Sequence, residues 1–185
     1  MIYITKDNQS ATDIATSLID NHSDGIVLLF SSELAVVYGS PYFIDVNACI
    51  RSGAYLYRTW HLGGAIVCFP GDLSIMELTT GDSNFGSTAV SVVRDMLVER
   101  GADAFLDGND LMVGERKAAS WARTYQDGRV QTVVHFSINS DMQTIQELCT
   151  KPMAKIPGAL SDYWITAEDI WTVIKERTPL SSHTP

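Results

Sequence analysis

Asn109-Asp110-Leu111-Met112-Val113, followed two residues later by Arg116-Lys117-Ala118-Ala119-Ser120, is the stretch on which the reading of this chain turns. Gly108-Asn109-Asp110 is turn chemistry, and it delivers an aspartate to the start of a short apolar strand. The next strand carries a lysine among small residues. Strands over 103–106, 109–113, 115–124 and 129–138 follow one another with only turn residues between them. Gln126-Asp127-Gly128 makes the last of these connections a hairpin.

Upstream of this stretch the pattern is mixed. Residues 2–5 read as a short strand, and residues 10–22 as a helix with Ile14, Ala15, Leu18 and Ile19 on one face. Ile26 to Phe30 and Leu34 to Tyr38 are two apolar runs separated by Ser31-Ser32-Glu33, which predicts an antiparallel pair joined by a tight turn. A second short helix spans 43–52 and ends at Gly53, and strands follow at 54–59, 65–69 and 72–79. The clearest helix has Ala89, Val90, Val93, Met96 and Leu97 as its stripe, with Ser87 as its cap and Gly101 as its stop. A last helix begins at Thr166, with Asp169 completing a capping box and Ile165 and Ile170 at the staple positions. Helices mixed with hairpin-joined strands predict an α+β fold, with a mixed, mainly antiparallel sheet and flanking helices. One domain over residues 1–177 and a loose tail over 178–185 are expected.

The chain has 185 residues, 45% hydrophobic and 19% charged, with a formal charge of −9. That balance argues against a nucleic-acid partner, which needs a field of lysine and arginine. Three cysteines (Cys49, Cys68, Cys149) do not make a disulfide framework and suit a reducing cytoplasm. The N-terminus shows no signal-peptide pattern, and no apolar run approaches a membrane span, so no membrane partner is expected.

Three places could carry chemistry. Strand alternation puts Lys117, Ala119, Trp121 and Arg123 on one face, which suits a phosphate-bearing, partly apolar ligand. The plainer alternative is an exposed edge strand. Asp110 could help hold magnesium, which proteins typically grip with one or two carboxylates plus phosphates, or could simply belong to a turn. Gly63-Gly64 could let backbone approach a ligand, with Arg58 and His61 nearby, or could be a bulge or turn. Cys68, in the apolar run Ile66-Val67-Cys68-Phe69-Pro70, reads as a small hydrophobe rather than a nucleophile.

Taken in order, these pieces resemble the lipoate/octanoate and biotin protein ligase family, closest to its lipoate-protein ligase A branch. The resemblance runs over about residues 10–175. Val36-Val37-Tyr38-Gly39 through Val46-Asn47 is similar to an early strand and loop of that family. Gly63-Gly64-Ala65-Ile66-Val67 with Gly71-Asp72-Leu73 is similar to its glycine loop. Asn109-Asp110-Leu111 and Arg116-Lys117-Ala118-Ala119-Ser120 match its most specific motifs. The resemblance implies activation of lipoate, octanoate or a similar medium-chain acid with ATP and magnesium, then transfer to the lysine of a lipoyl-type carrier domain. It implies Lys117 as the catalytic cation touching acyl carbonyl and phosphate, with Asp110 beside magnesium. It implies Arg58, His61, Gly63, Gly64, Ala65, Asn109, Ala119 and Ser120 along the substrate and nucleotide channel.

The pattern also departs from the family's. Leu62 replaces a glycine, Cys68 replaces a histidine, Ser40 follows Gly39 in place of arginine, and Val133-Val134-His135 replaces His-Gly-Thr. The one-domain reading leaves out the small second domain of many members, so the resemblance implies either a separate accessory subunit or loss of the full two-step reaction. The alternative reading is a non-catalytic module that keeps the fold and grips an acyl group, a nucleotide or a partner protein. Acyl transfer through Cys68 is a third.

Overall fold

Ile26, Val27, Leu28 and Leu29 are four consecutive buried residues, so the strand they form, β2 (Gly25–Phe30), must be covered on both faces. Alternation divides them: Ile26 and Leu28 join one core cluster, Val27 and Leu29 another. The computed structural model that shows this describes residues 1–58, 64–126, 128–150 and 155–178.

Among the described residues, the main sheet runs in the order β1 (Ile2–Thr5), β2, β6 (Leu73–Thr79), β10 (Arg129–Phe136), β9 (Arg116–Gln126), β8 (Asp110–Val113) and β7 (Ala104–Asp107). Only β1 with β2 is parallel along that path. A two-residue strand, β11 (Ile156–Pro157), adds in parallel to the start of β9. A second, smaller sheet is formed by β4 (Tyr55–Arg58), β3 (Ala35–Tyr38) and β5 (Ala65–Cys68). The α+β class and the mainly antiparallel sheet expected from the sequence are both present.

One face of the main sheet is covered by α3 (Phe85–Glu99) and α5 (Ala167–Arg177), which bury Ala89, Val93, Leu97, Ile170 and Ile174 against Leu28, Ile75, Val134 and Phe136. The opposite face is shared. α1 (Asn8–Asp20) covers β1, β2 and β6 through Ala11, Ala15 and Leu18. The small sheet, with α2 (Val46–Ser52) and α4 (Met142–Leu148), forms its own cluster around Val36, Cys49, Phe69 and Leu148. No described helix is long and apolar enough to cross a membrane.

Several local expectations hold for their stated reasons. Thr166 and Asp169 form a reciprocal capping box, and Ile165 and Ile170 are both buried beside it. Gly53 and Gly101 end their helices at φ +71° and +83°. Others are corrected. The strands around Ser31-Ser32-Glu33 do not pair with each other: β2 lies in the main sheet and β3 in the small one. The connection instead pairs with the β5–β6 turn, Ser31 N–H bonding to Asp72 O and Gly71 N–H to Ser31 O. Both connections thus cross between sheets at one corner. α3 starts two residues before Ser87, at Phe85, and the Ser87 hydroxyl donates to Asn84 O instead of capping an N–H. The 43–52 helix is a short 3₁₀ turn (Pro41–Phe43) followed by α2, capped by Asp45. α4 is capped at its start by Asp141 and ends at Cys149. Asp127 of the hairpin and residues 179–185 of the tail lie outside the described residues.

Gly86, in the first turn of α3, shows how closely helix and sheet approach. A Cβ there would lie 2.7 and 2.8 Å from Trp121 ring atoms and 2.9 Å from Thr132 Cγ2. Gly86→Ala should therefore destabilise the fold by about 1–3 kcal/mol despite alanine's better helix propensity. A urea titration of the variant against wild type measures it.

Candidate functional site

A β-bulge decides which side chains meet. In the β9–β10 pairing, Ala119 sits opposite Phe136 and Trp121 opposite Val134, and both partners belong to the core beneath α3. Residues directly paired share a face, so Ala119 and Trp121 point toward α3, while Ser120 shares the opposite face with its partner His135. Regular alternation would send Lys117 into the core with Ala119. Between Leu111 and Met112 of β8 the register against β9 shifts, from Leu111↔Ala119 to Met112↔Lys117. The extra residue turns Lys117 to the face of Ser120 and Asp110. The expectation that Lys117, Ala119, Trp121 and Arg123 share a face is corrected by that one inserted residue. Arg123 stays with Trp121, its guanidinium 5.6 Å from the ring centroid.

The face so formed looks into a cavity of about 440 Å³ between the two sheets. The main sheet supplies Asp110, Lys117, Ser120, His135 and Ser137 from that face, and Ala119, whose side chain belongs to the core behind it, also borders the cavity. Gly64 to Val67 of the small sheet, Phe43, and Ile145 and Cys149 at α4 close it, with Lys155 and Pro157 at the side. Of the residues named from sequence, Gly64, Ala65, Asp110, Lys117, Ala119 and Ser120 meet here. Asn109 lies instead in the exposed two-residue turn between β7 and β8, where Gly108 takes φ +63°. Arg58 ends β4 at an exposed position away from the wall. His61 and Gly63 lie outside the described residues.

Lys155 is a cation that the sequence reading did not single out. Its ammonium donates to Asp110 Oδ2 at 2.6 Å and lies 2.8 Å from Asp107 Oδ2. These two carboxylates raise its pKa above the ordinary lysine value, so it stays charged. Lys117 Nζ is 3.6 Å from Asp110 Oδ1, an ion pair too long for a hydrogen bond. Asp110 is thus gripped on one oxygen by Lys155 and faces Lys117 with the other. No local pattern links Lys155 to Asp110, 45 residues earlier; the parallel pairing of β11 with β9 brings them together.

This arrangement bears on a metal. A magnesium ion needs a carboxylate oxygen open to it, whereas both oxygens of Asp110 face ammonium groups. Among the described residues, no group of three His, Cys, Asp or Glu side chains could hold an ion. The residues present do not fit a resident magnesium at Asp110.

His135 and Cys68 complete the polar inventory. His135 Nδ1 is 2.9 Å from Ser74 Oγ, and its Nε2 is 3.6 Å from Asp72 Oδ2 with no hydrogen-bond partner among the described residues. Burial holds its pKa below the ordinary value, against the pull of Asp72. Cys68 is 2% exposed, and burial together with the charge of Asp72 pushes its thiol pKa up to about 12. A protonated buried thiol is no nucleophile, so acyl transfer through Cys68 loses its physical basis.

The depressed pKa of His135 sets a direction for stability against pH. The unfolded chain binds this proton more readily, so folding is favoured where the imidazole is neutral in both states, above the unfolded value of 6.5. As pH falls below that value, stability should decline until the folded imidazole also protonates. Urea midpoints measured from about pH 7 down to about pH 5 should fall for wild type and fall less for His135→Gln.

No family model and no curated protein sequence matches the chain. Solved structures do. P. falciparum LipL1 in complex with lipoate superposes with a TM-score of 0.77 at 14% identity, covering 95% of this chain and 60% of that one. The chain therefore spans 60% of that protein's length. A bipartite lipoate protein ligase of Thermoplasma acidophilum, described with its E2 lipoyl domain, gives 0.74 at 16% identity, covering 95% and 80%. Lipoate-protein ligase A bound with ATP gives 0.73 at 17% identity, covering 94% and 81%. The cavity between two sheets, with a bulge-turned lysine on its wall, is built on the fold of the lipoate-protein ligases.

Proposed function

We propose that the cavity binds a carboxylic acid with an apolar tail and joins it to the α-phosphate of ATP, forming an acyl-adenylate for transfer to an amine. The observation that carries this reading is the pairing of Lys117 with Asp110 and Lys155 on one wall of a cavity whose other walls are largely apolar. Likeness to an ATP-bound lipoate-protein ligase supports the choice of nucleotide.

The two lysines divide the work. Lys155 is held tightly by two carboxylates and keeps Asp110 in place. Lys117 is held only at 3.6 Å, so its ammonium can turn to an incoming anion at small cost. As a carboxylate oxygen attacks phosphorus and pyrophosphate leaves, negative charge builds on the phosphoryl oxygens. An ammonium beside them stabilises that charge more than it stabilises the separate reactants. In the second step an amine attacks the acyl carbon, the bond to the phosphate oxygen breaks, and AMP departs. The amine belongs to a lysine of a lipoyl-type carrier domain, as the T. acidophilum protein's pairing with an E2 lipoyl domain suggests for this fold. That protein is bipartite, and an accessory subunit is proposed here by the same likeness. Lipoate and octanoate are the leading acids.

ATP–pyrophosphate exchange tests the reading, with lipoate, octanoate and biotin supplied in turn. Exchange should appear with one acid and fall by about 10²–10³ in Lys117→Ala, the range for losing one charge-stabilising donor. Equal exchange in that variant removes the role given to Lys117. Absence of exchange from folded protein favours the non-catalytic binding module.

A further inference from the structure

Asp107 and Asp110 are directly paired residues, standing opposite each other across the Gly108-Asn109 turn that joins β7 to β8. Directly paired side chains share a face, with Cβ atoms about 5 Å apart. Two carboxylates are thus brought together on the side of Lys117. Like charges so placed repel, and this hairpin end is unfavourable unless a cation sits between them.

Lys155 is that cation. Its ammonium is 2.6 Å from Asp110 Oδ2, 2.8 Å from Asp107 Oδ2 and 3.3 Å from the Asp107 carbonyl oxygen. An ammonium has three N–H donors, and three oxygens meet them here, so none is left over for a ligand. Carboxylate and carbonyl oxygens converging on one positive point are also the groups that hold a hard divalent cation. The seat is open to water, with the side chains of Asp107, Lys155 and Asp110 61%, 27% and 19% exposed, so dissolved ions can reach it. Charge balance gives Lys155 a second effect. Asp107 and Asp110 face Lys155 and Lys117, and this wall is neutral only while Lys155 is in place. Without it two carboxylates would oppose Lys117 alone, and an incoming anion would be repelled.

We infer that Lys155 stands where a protein-held divalent cation would otherwise stand. Its ammonium fills a seat built from Asp107 and Asp110, and it leaves Lys117 to receive an anionic ligand with no metal on the protein. Lys155 is therefore a positioning residue, acting through the two aspartates rather than on the ligand. That the anion is an acid's carboxylate rests on the function proposed for the cavity; the seat itself does not.

Binding of Mn²⁺ to the free protein, followed by loss of the free ion's EPR signal, tests the seat. The proteins are wild type, Asp110→Asn, Lys155→Ala and the double variant Lys155→Ala/Asp110→Asn. Wild type and Asp110→Asn should bind Mn²⁺ equally, because the ammonium keeps the ion from Asp110. Lys155→Ala should gain a site at least about tenfold tighter than any in wild type, since affinity follows ligand charge. The double variant should lose that gain. Wild-type binding that Asp110→Asn abolishes overturns the inference without any change at Lys155, and a Lys155→Ala protein that gains no site overturns it as well. Octanoate affinity, measured by calorimetry in EDTA and again with Mn²⁺, tests the link to the ligand. Wild type should be indifferent to the ion, whereas Lys155→Ala should bind about tenfold or more weakly in EDTA and recover when Mn²⁺ is added. A Lys155→Ala protein that seats Mn²⁺ with no change in octanoate affinity supports the seat and rejects the placing of the acid's carboxylate on this wall. Absence of octanoate binding by every protein rejects that placing too, and the Mn²⁺ titration then decides the seat by itself.

Discussion

Asp72 is fully buried, and the architecture depends on how its charge is satisfied. One carboxylate oxygen accepts from the backbone N–H groups of Ile138 and Asn139, the other from that of Phe69. A carboxylate without such partners could not be removed from water at acceptable cost, and charge-assisted bonds to backbone N–H groups are among the strongest available. The bond from Phe69 closes the turn where the chain leaves the small sheet, and the two from Ile138 and Asn139 tie that turn to the loop where the chain leaves β10 for α4. The second crossing, at Ser31, is bonded to the same turn. Two sheets joined at one corner cannot collapse flat against each other, and the space that remains between them is the cavity.

Within that space, charged and apolar walls face each other. The mouth holds charge: two lysines and Asp110, partly exposed, where solvent can still reach ions. His135 on the same face is buried, and the smaller cavity beside α1 is lined by aliphatic side chains together with Asn8, Thr12, Ser74 and Gln131.

The relation of sequence to structure differs from element to element. The capping box at Thr166, the stops at Gly53 and Gly101 and the turn before Asp110 are local: each is decided by hydrogen bonds within a few residues, and each is visible in the sequence. The faces of strands were less secure. Period-two counting placed Lys117 with Trp121 and Arg123, and a single bulge residue reversed it. The supposed hairpin at Ser31-Ser32-Glu33 failed because backbone partners 40 residues away bonded to that segment instead. The contribution of Lys155 was hidden for the same reason, since its partners lie 45 and 48 residues earlier.

By itself, then, the sequence determined the mixture of helices and hairpin-joined strands, the helix ends, and the pairing in one region of an aspartate and a lysine amid small residues. Those follow from side-chain periodicity and from bonds that close within a turn. Only the tertiary structure decided that Lys117 faces a cavity and that Lys155 joins it there. Each of these depends on strand register and on the gap between two sheets, quantities set by long-range hydrogen bonds and by packing that no local pattern encodes.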